Sequence, residues 1–309
     1  MMEKEQISKR QFIVYLINAF GFGWLMQIIV SIYANNNGNQ NIFGVFLMLT
    51  MYMPFLGTLV AGIPLKSMGW VPHLKGRIRY ILFSLWMPAL LSIIGGVLFF
   101  VIFPDAFDSK FTTILSLLEQ AGALEQLEAQ GITIPKYLLI TSIQAITYAP
   151  FLNMFAALGE EVGWRGALYP YLKEKFGVTK GRIMGGAIWG CWHWPLMILA
   201  GYEYGKEYMG APVLGPIVFC VSTISIGILI DYVYEKTETV WIPSLMHGAV
   251  NAFTLPLYLI KPEYEDKLIL GPAYIGMISM VPLVITAFII CLKQKRTVWN
   301  HRSSSVYLP

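Results

Sequence analysis

Residues 80–103 read YILFSLWMPALLSIIGGVLFFVIF, a run without one charged side chain and long enough to cross a bilayer as a single helix. Working outward from it, similar runs recur near 12–33, 42–64, 137–159, 183–201, 213–234, 241–260 and 270–292. The connections between them are short, and no Pro/Gly/Ser-rich linker separates them. Hydrophobic residues make up 56% of the 309 and charged residues only 13%, with a mean hydropathy of +0.59, well below the roughly 25% charged of soluble domains. The expected fold is an all-α, polytopic membrane helix bundle of about eight transmembrane helices, forming a single transmembrane domain over 1–309. The first run is too long for a secretory leader and lacks a small-residue cleavage site, so it reads as a retained span.

Lys and Arg are distributed unevenly along this pattern. With the N-terminus inside, most of the 22 fall in cytoplasmic segments, among them Lys66, Lys75, Arg77, Arg79, Lys173, Lys175, Lys180 and Arg182. The far side keeps Lys110, Lys136, Lys206, Lys261 and Lys267. The positive-inside rule therefore predicts both termini in the cytoplasm. The extracytoplasmic loop 104–136 carries Phe111, Ile114, Leu115 and Leu118 at i, i+3, i+4 and i+7, the spacing of an amphipathic helix lying on the outer surface. Cys191, Cys220 and Cys291 each lie in an apolar run and offer neither a disulfide framework nor a CxxC site, so three buried thiols are expected. There is no nucleic-acid motif, and the basic loops are explained by topology. Nor is there a pair of broken helices in two corresponding halves of the kind many transporters carry.

Three polar patches interrupt this apolar chain: Glu160-Glu161-Val162-Gly163-Trp164-Arg165, Trp189-Gly190-Cys191-Trp192-His193, and His247-Gly248-Ala249-Val250-Asn251. Ionisable groups at membrane depth are costly and persist mainly where they pair or react. Two of the four histidines fall in these patches; His73 sits in a basic loop and His301 in the polar tail. Glu161 and Arg165 are four apart on a helix, acid first, and should face one another. Glu160 then points about 100° away and is free for another task. His193 lies well inside its span, with Trp189 one turn earlier as an aromatic wall. His247 and Asn251 share one face of the seventh span. All three patches lie toward the cytoplasmic ends of their helices, which lets them converge in one inner-leaflet cavity, provided the fourth helix is tilted or continues past Glu161. A carboxylate, two imidazoles and an amide in such a cavity are suited to hydrolysis by activated water. No HExxH, GxSxG or Ser-His-Asp set is present.

The ordered patterns EExxxR, [F/W]xxxH and HxxxN resemble the CPBP (CAAX protease and bacteriocin-processing, or Abi) family of intramembrane proteases, which includes the type II CAAX prenyl endopeptidases. Here they fall on Glu160-Glu161 with Arg165, Trp189 with His193, and His247 with Asn251, inside an expected catalytic core at 137–260. The resemblance implies an endopeptidase in which Glu160, assisted by His193, activates water while His247 and Asn251 stabilise the oxyanion, with Glu161, Arg165 and Trp189 in support. Trp189 stands where Phe is common. The family is often described as metalloproteases, and Glu160, His193 and His247 could hold zinc with water as fourth ligand; the same atoms serve a metal-free mechanism, and no cofactor is required by the sequence. The implied partner is a membrane-associated peptide or protein, lipidated or carrying a leader sequence, cut near the cytoplasmic face of what reads as a bacterial cytoplasmic membrane. The competing reading is a non-catalytic membrane scaffold or a bacteriocin self-immunity protein.

Overall fold

The computed structural model describes residues 6–36, 40–72 and 74–305, with side chains omitted for 40–41 and from 295 onward; His73 and the side chain of His301 lie outside the described residues. Every described regular element is helical, as a bilayer demands of a chain that must satisfy its own backbone hydrogen bonds. The helices are α1 (Lys9–Asn35), α2 (Gln40–Thr50), α3 (Met53–Val60), α4 (Ile78–Ile102), α5 (Thr112–Gln120), α6 (Leu124–Ala129), α7 (Ile134–Ile146), α8 (Ala149–Gly163), α9 (Tyr169–Phe176), α10 (Val178–Trp192), α11 (Trp194–Ala200), α12 (Leu214–Thr237), α13 (Trp241–Ala252) and α14 (Val281–Ser305).

Five helical stretches among the described residues are long and apolar enough to cross a membrane: Lys9–Asn35, Ile42–Val60, Ile78–Ile102, Val178–Ala200 and Leu214–Thr237. A sixth is reached if α7 and the continuation Ala149–Phe176, bent by 53°, count together. The sequence suggested eight, and the differences have local causes. The expected span 241–260 stops as a helix at Ala252 because Phe253 turns extended and Pro256 follows, a combination that disfavours further α-helix. The expected span 270–292 is helical only from Val281. Before it, Gly276 lies so close to the chain at Leu270–Gly271 that a Cβ would meet the Gly271 nitrogen at 2.4 Å. The expected single helix over 137–159 breaks at Thr147–Tyr148, and its second half runs on beyond Glu161.

α12 is the central element: 72% of its most apolar window is buried, against 22–44% for the other four membrane-length stretches. Around it, α10 packs along α12 and α13 along α8. Gly248 makes the second contact possible, since a Cβ there would lie 2.5 Å from the Pro150 carbonyl oxygen. Outward-facing apolar side chains, such as Ile17 and Leu25 on α1 and Val97 and Val101 on α4, form the surface that meets lipid. None of the three cysteines is in a disulfide, and each is half-buried rather than fully enclosed.

The amphipathic segment of 104–136 folds as two short helices instead of one, divided by Gly122 at φ +64°. Ile114 and Leu118 are buried against Leu138, as their spacing predicts. Phe111 precedes the helix in a left-handed conformation. The turn is tied by Asp108, whose carboxylate accepts from Thr112 Oγ1 at 2.6 Å, from the Thr113 amide at 3.0 Å and from the Lys110 amide at 3.1 Å. Burial alone would raise its pKa, but these donors outweigh it and hold the carboxyl below the usual Asp value. A depressed folded-state pKa means that this stabilisation is complete above the ordinary Asp range and fades as pH falls through the folded value. Asp108→Ala should cost about 1–2 kcal/mol locally, the scale of a lost helix cap, seen as faster amide hydrogen exchange over 109–120. Unchanged exchange there would show that the turn holds without the carboxylate.

Candidate functional site

The site is built on α8. The helix continues through Glu161, as the depth of Glu160 expected from the sequence required, so Glu160 stands within a continuous helical run. The run relaxes into a π-turn at Trp164–Leu168 before α9, a local widening that recurs at functional sites. Trp164 and Arg165 each reach back one turn. The Trp164 indole donates to Glu160 Oε2 at 2.9 Å, and Arg165 Nη1 donates to Glu161 Oε1 at 3.1 Å.

Glu160 is 2% exposed, and both of its close donors are neutral: Trp164, and Trp189 from α10, whose indole nitrogen lies 2.7 Å from the same Oε2. Neither donates to Oε1. The Trp189 ring lies 5.2 Å from that of His247. Its hydrogen bond to Glu160 was not foreseen. Trp164, four residues after Glu160, carried the same i, i+4 signal as Glu161 and Arg165 and could have been found from it.

Glu161 is fully buried and doubly engaged. Arg165, also fully buried, lies 3.1 Å from each of its oxygens, and His247 Nδ1 from α13 lies 2.8 Å from Oε1. The guanidinium is further held by the Gly227 carbonyl at 3.3 Å and lies over the rings of Tyr169 and Trp189. The Glu161–His247 contact joins residues far apart in sequence, with no local pattern to announce it. A carboxylate only accepts, so the His247 Nδ1 carries hydrogen and Nε2 is the atom left for chemistry.

His193 occupies the junction where α10 ends and α11 begins, just before Pro195. Its Nδ1 lies 3.0 Å from the Trp189 carbonyl oxygen. That oxygen too can only accept, which places the proton on Nδ1 and leaves Nε2 as a free base in the neutral ring. Trp192 and Phe219 pack edge-on against the imidazole, and Tyr202 lies parallel to it. Asn251 follows His247 by one turn and is exposed.

Glu160, His193, His247 and Asn251 all border one cavity of about 70 Å³. A second, of about 40 Å³, shares His193, Tyr202, His247 and Asn251 and adds Glu203 and Tyr274. Convergence of the three patches, expected from topology, is thus observed. Tyr202, Glu203 and Tyr274 were not anticipated as neighbours.

Zinc on Glu160, His193 and His247 finds no support in this arrangement. Among the described residues no three His, Cys, Asp or Glu side chains are grouped to hold a metal ion. No three-ligand group is assembled among the described residues, and no step below passes through a metal.

The fold and site define a polytopic helical membrane protein with an acid, two imidazoles and an amide around one buried cavity. Residues 142–253 match the family model for type II CAAX prenyl endopeptidase, Rce1-like, and a 102-residue stretch is 29% identical to CAAX prenyl protease 2 of Methanococcus maripaludis, covering 33% of this chain. Over this segment the chain is similar to type II CAAX prenyl endopeptidases, in line with the motifs it carries. It spans 37% of that relative's length.

The Glu161–Arg165 pair permits a direct test of what holds the site. Arg165→Met would leave Glu161 buried with His247 as its remaining partner, and should cost about 3–5 kcal/mol of stability, the range for breaking a buried pair from one side. The double variant Glu161→Gln/Arg165→Met should recover part of that loss. Thermal unfolding in detergent micelles reads both; equal stability of Arg165→Met and wild type would deny the pair a structural role.

Proposed function

We propose that this protein is an intramembrane endopeptidase that hydrolyses a peptide bond in a membrane-tethered substrate, lipidated or carrying a leader sequence, near the cytoplasmic face. The observation that carries this reading is the single cavity bordered by Glu160, His193, His247 and Asn251, which has room for a water molecule. The uneven Lys and Arg distribution supports an orientation with both termini in the cytoplasm, and the family match supports a protease acting at a prenylated or otherwise lipid-anchored chain end.

The chemistry follows from the donors already assigned. Two indole N–H groups fix Glu160 through Oε2, so Oε1 is the oxygen that takes a proton from water. His193 Nε2 accepts from the same water and orients its lone pair toward the scissile carbonyl carbon. As the C–O bond forms, negative charge gathers on the carbonyl oxygen. Asn251 can donate to it through its amide, and His247 through Nε2–H in its cationic form, which would sit against Glu161.

In proteoliposomes, a fluorogenic peptide ending in a farnesylated CAAX sequence should be cleaved by wild type, with kcat reduced about 10³-fold or more in Glu160→Gln and about 10²-fold or more in His193→Ala, the range for losing general-base assistance. Mapping new peptide ends in membranes of expressing cells would identify natural substrates by the same comparison. Equal cleavage by Glu160→Gln and wild type would remove the hydrolytic role of that carboxylate and favour a scaffold.

A further inference from the structure

The loop between α11 and α12 is not part of any motif, yet it sets a second carboxyl beside the site. Glu203 is one of three non-glycine residues with positive φ among those described, at +74°. The Tyr204 amide donates to the Tyr202 carbonyl at 3.1 Å, closing a three-residue γ-turn with Glu203 at its apex, a strained conformation for a side-chain-bearing residue. Such strain persists only where the surroundings enforce it. Here Gly201 and Gly205 flank the turn at φ +72° and +76°, the Gly205 amide donates to the Gly201 carbonyl at 2.8 Å, and the buried Tyr204 hydroxyl donates to the Ile275 carbonyl at 2.7 Å. The nearest lysine along the loop, Lys206, gives its ammonium to Asn35 Oδ1 at 2.8 Å and does not neutralise Glu203.

The two cavities each bring one of these carboxyls to a shared centre. Both are bordered by His193, His247 and Asn251; Glu160 borders only the larger and Glu203 only the smaller. A scissile carbonyl held at His247 and Asn251 therefore has Glu160 at the cavity of the attacking water and a second carboxyl, Glu203, at the adjoining one. The smaller cavity, about 40 Å³, is on the scale of one water molecule and not of a lysine or arginine side chain, which argues against Glu203 being the counter-ion of a basic substrate residue.

We propose that Glu203 is the general acid of the reaction, delivering its proton to the departing amine nitrogen, an assignment that rests on the hydrolase reading above. In the first step the water oxygen bonds to the carbonyl carbon and its proton passes to Glu160. In the second, the C–N bond breaks, its electron pair stays with nitrogen, and nitrogen takes the proton from the Glu203 carboxyl. The products are an acid and an amine; Glu160 is left protonated and Glu203 ionised, and one proton passing between them through cavity water restores both.

The surroundings suit this role. Burial pushes the Glu203 carboxyl up to about 7, with a hydrogen bond from Tyr202 opposing the rise. The titratable groups around it are Tyr202 and Tyr204 on its own loop, Tyr274 from the 270–280 segment, and His193 and His247 across the cavity; α12 contributes Phe219, Ser222 and Thr223, none of which titrates. The acid form prevails below about pH 7 and is lost as pH rises through that value.

The test uses full-length wild type, Glu203→Gln, Glu203→Asp and Glu160→Gln in proteoliposomes, with the farnesylated CAAX peptide and its ester analogue, in which the scissile amide nitrogen is replaced by an activated phenolate that needs no protonation to leave. Wild type should show an alkaline limb in kcat/KM for the amide with a midpoint near pH 7. Glu203→Gln should lower kcat for the amide about 10²-fold with KM little changed, lose that limb, and approach wild-type rates on the ester; Glu203→Asp should restore part of the amide rate. Glu160→Gln should fail on both substrates. The proposal is overturned if Glu203→Gln keeps wild-type kcat and the alkaline limb, if it changes only KM, or if it loses ester and amide hydrolysis alike. Absence of cleavage by wild type would instead overturn the hydrolase reading itself.

Discussion

Two adjacent carboxylates in a membrane helix are the constraint around which the rest is arranged. Bulk water does not reach Glu160 and Glu161, which are 2% and 0% exposed, so protein groups must stand in for it, and successive residues on a helix face different directions, so one partner cannot serve both. The two receive different company. Glu161 has a guanidinium and an imidazole; Glu160 has two indole N–H groups and no cation among its hydrogen-bond donors. Meeting both demands fixes the architecture. The π-turn brings Trp164 and Arg165 back over their acids, α10 must approach closely enough for Trp189 to reach Glu160, and α13 must lie against α8 for His247 to reach Glu161. The bare glycine at position 248 admits that last contact.

A second buried cluster shows what a purely structural solution looks like. Asp231 on α12 meets Lys173 at 2.8 Å and Arg182 at 2.6 Å, and Glu235 one turn later meets the same two cations at 3.0 and 2.9 Å. Two acids face two bases, and the cluster ties α9, α10 and α12 together with its charge neutralised internally. At the cavity, by contrast, the one permanently charged partner of the two acids is Arg165, and it pairs with Glu161. The imbalance falls on Glu160, whose neutral donors orient it without cancelling its charge, and it is the carboxylate that borders the cavity. Uncompensated charge beside trapped space is the condition for proton transfer; compensated charge between helices is a fastener.

Those contrasts explain what the sequence could and could not disclose. The uncharged run at 80–103 was sufficient to announce a membrane helix, and the three polar patches announced their own importance by interrupting such runs. The i, i+4 relation of Glu161 and Arg165 was legible for the same reason that the one between Glu160 and Trp164 should have been: helical geometry is local. The expected helix bounds were overrun where apolar composition continued after helical geometry had stopped, at Phe253 and again over 270–280, because hydropathy does not register a proline or a backbone approach. Lys173 and Arg182 read as loop charges marking the cytoplasmic side, yet Arg182 is fully buried against Asp231; a charge count cannot see a partner on another helix. Glu161 with His247, Trp189 with Glu160, and Glu203 beside the cavity are all tertiary, and none had a spacing to betray it.

His193 shows how a break in regular structure becomes useful. An imidazole in mid-helix would have its orientation set by rotamer preference and packing alone. At the α10–α11 junction, the Trp189 carbonyl is one of the acceptors left open at a helix end, and His193 turns its Nδ1–H to it. The bond satisfies a helix terminus and fixes the tautomer, and the rings of Trp192, Phe219 and Tyr202 restrict rotation. Trp189 therefore acts on both reacting groups from one residue, through its carbonyl on His193 and its indole on Glu160. Extending that helix by one residue would close the Trp189 carbonyl into the backbone ladder and release His193, which makes Pro195, in the first turn of α11, consequential for the chemistry.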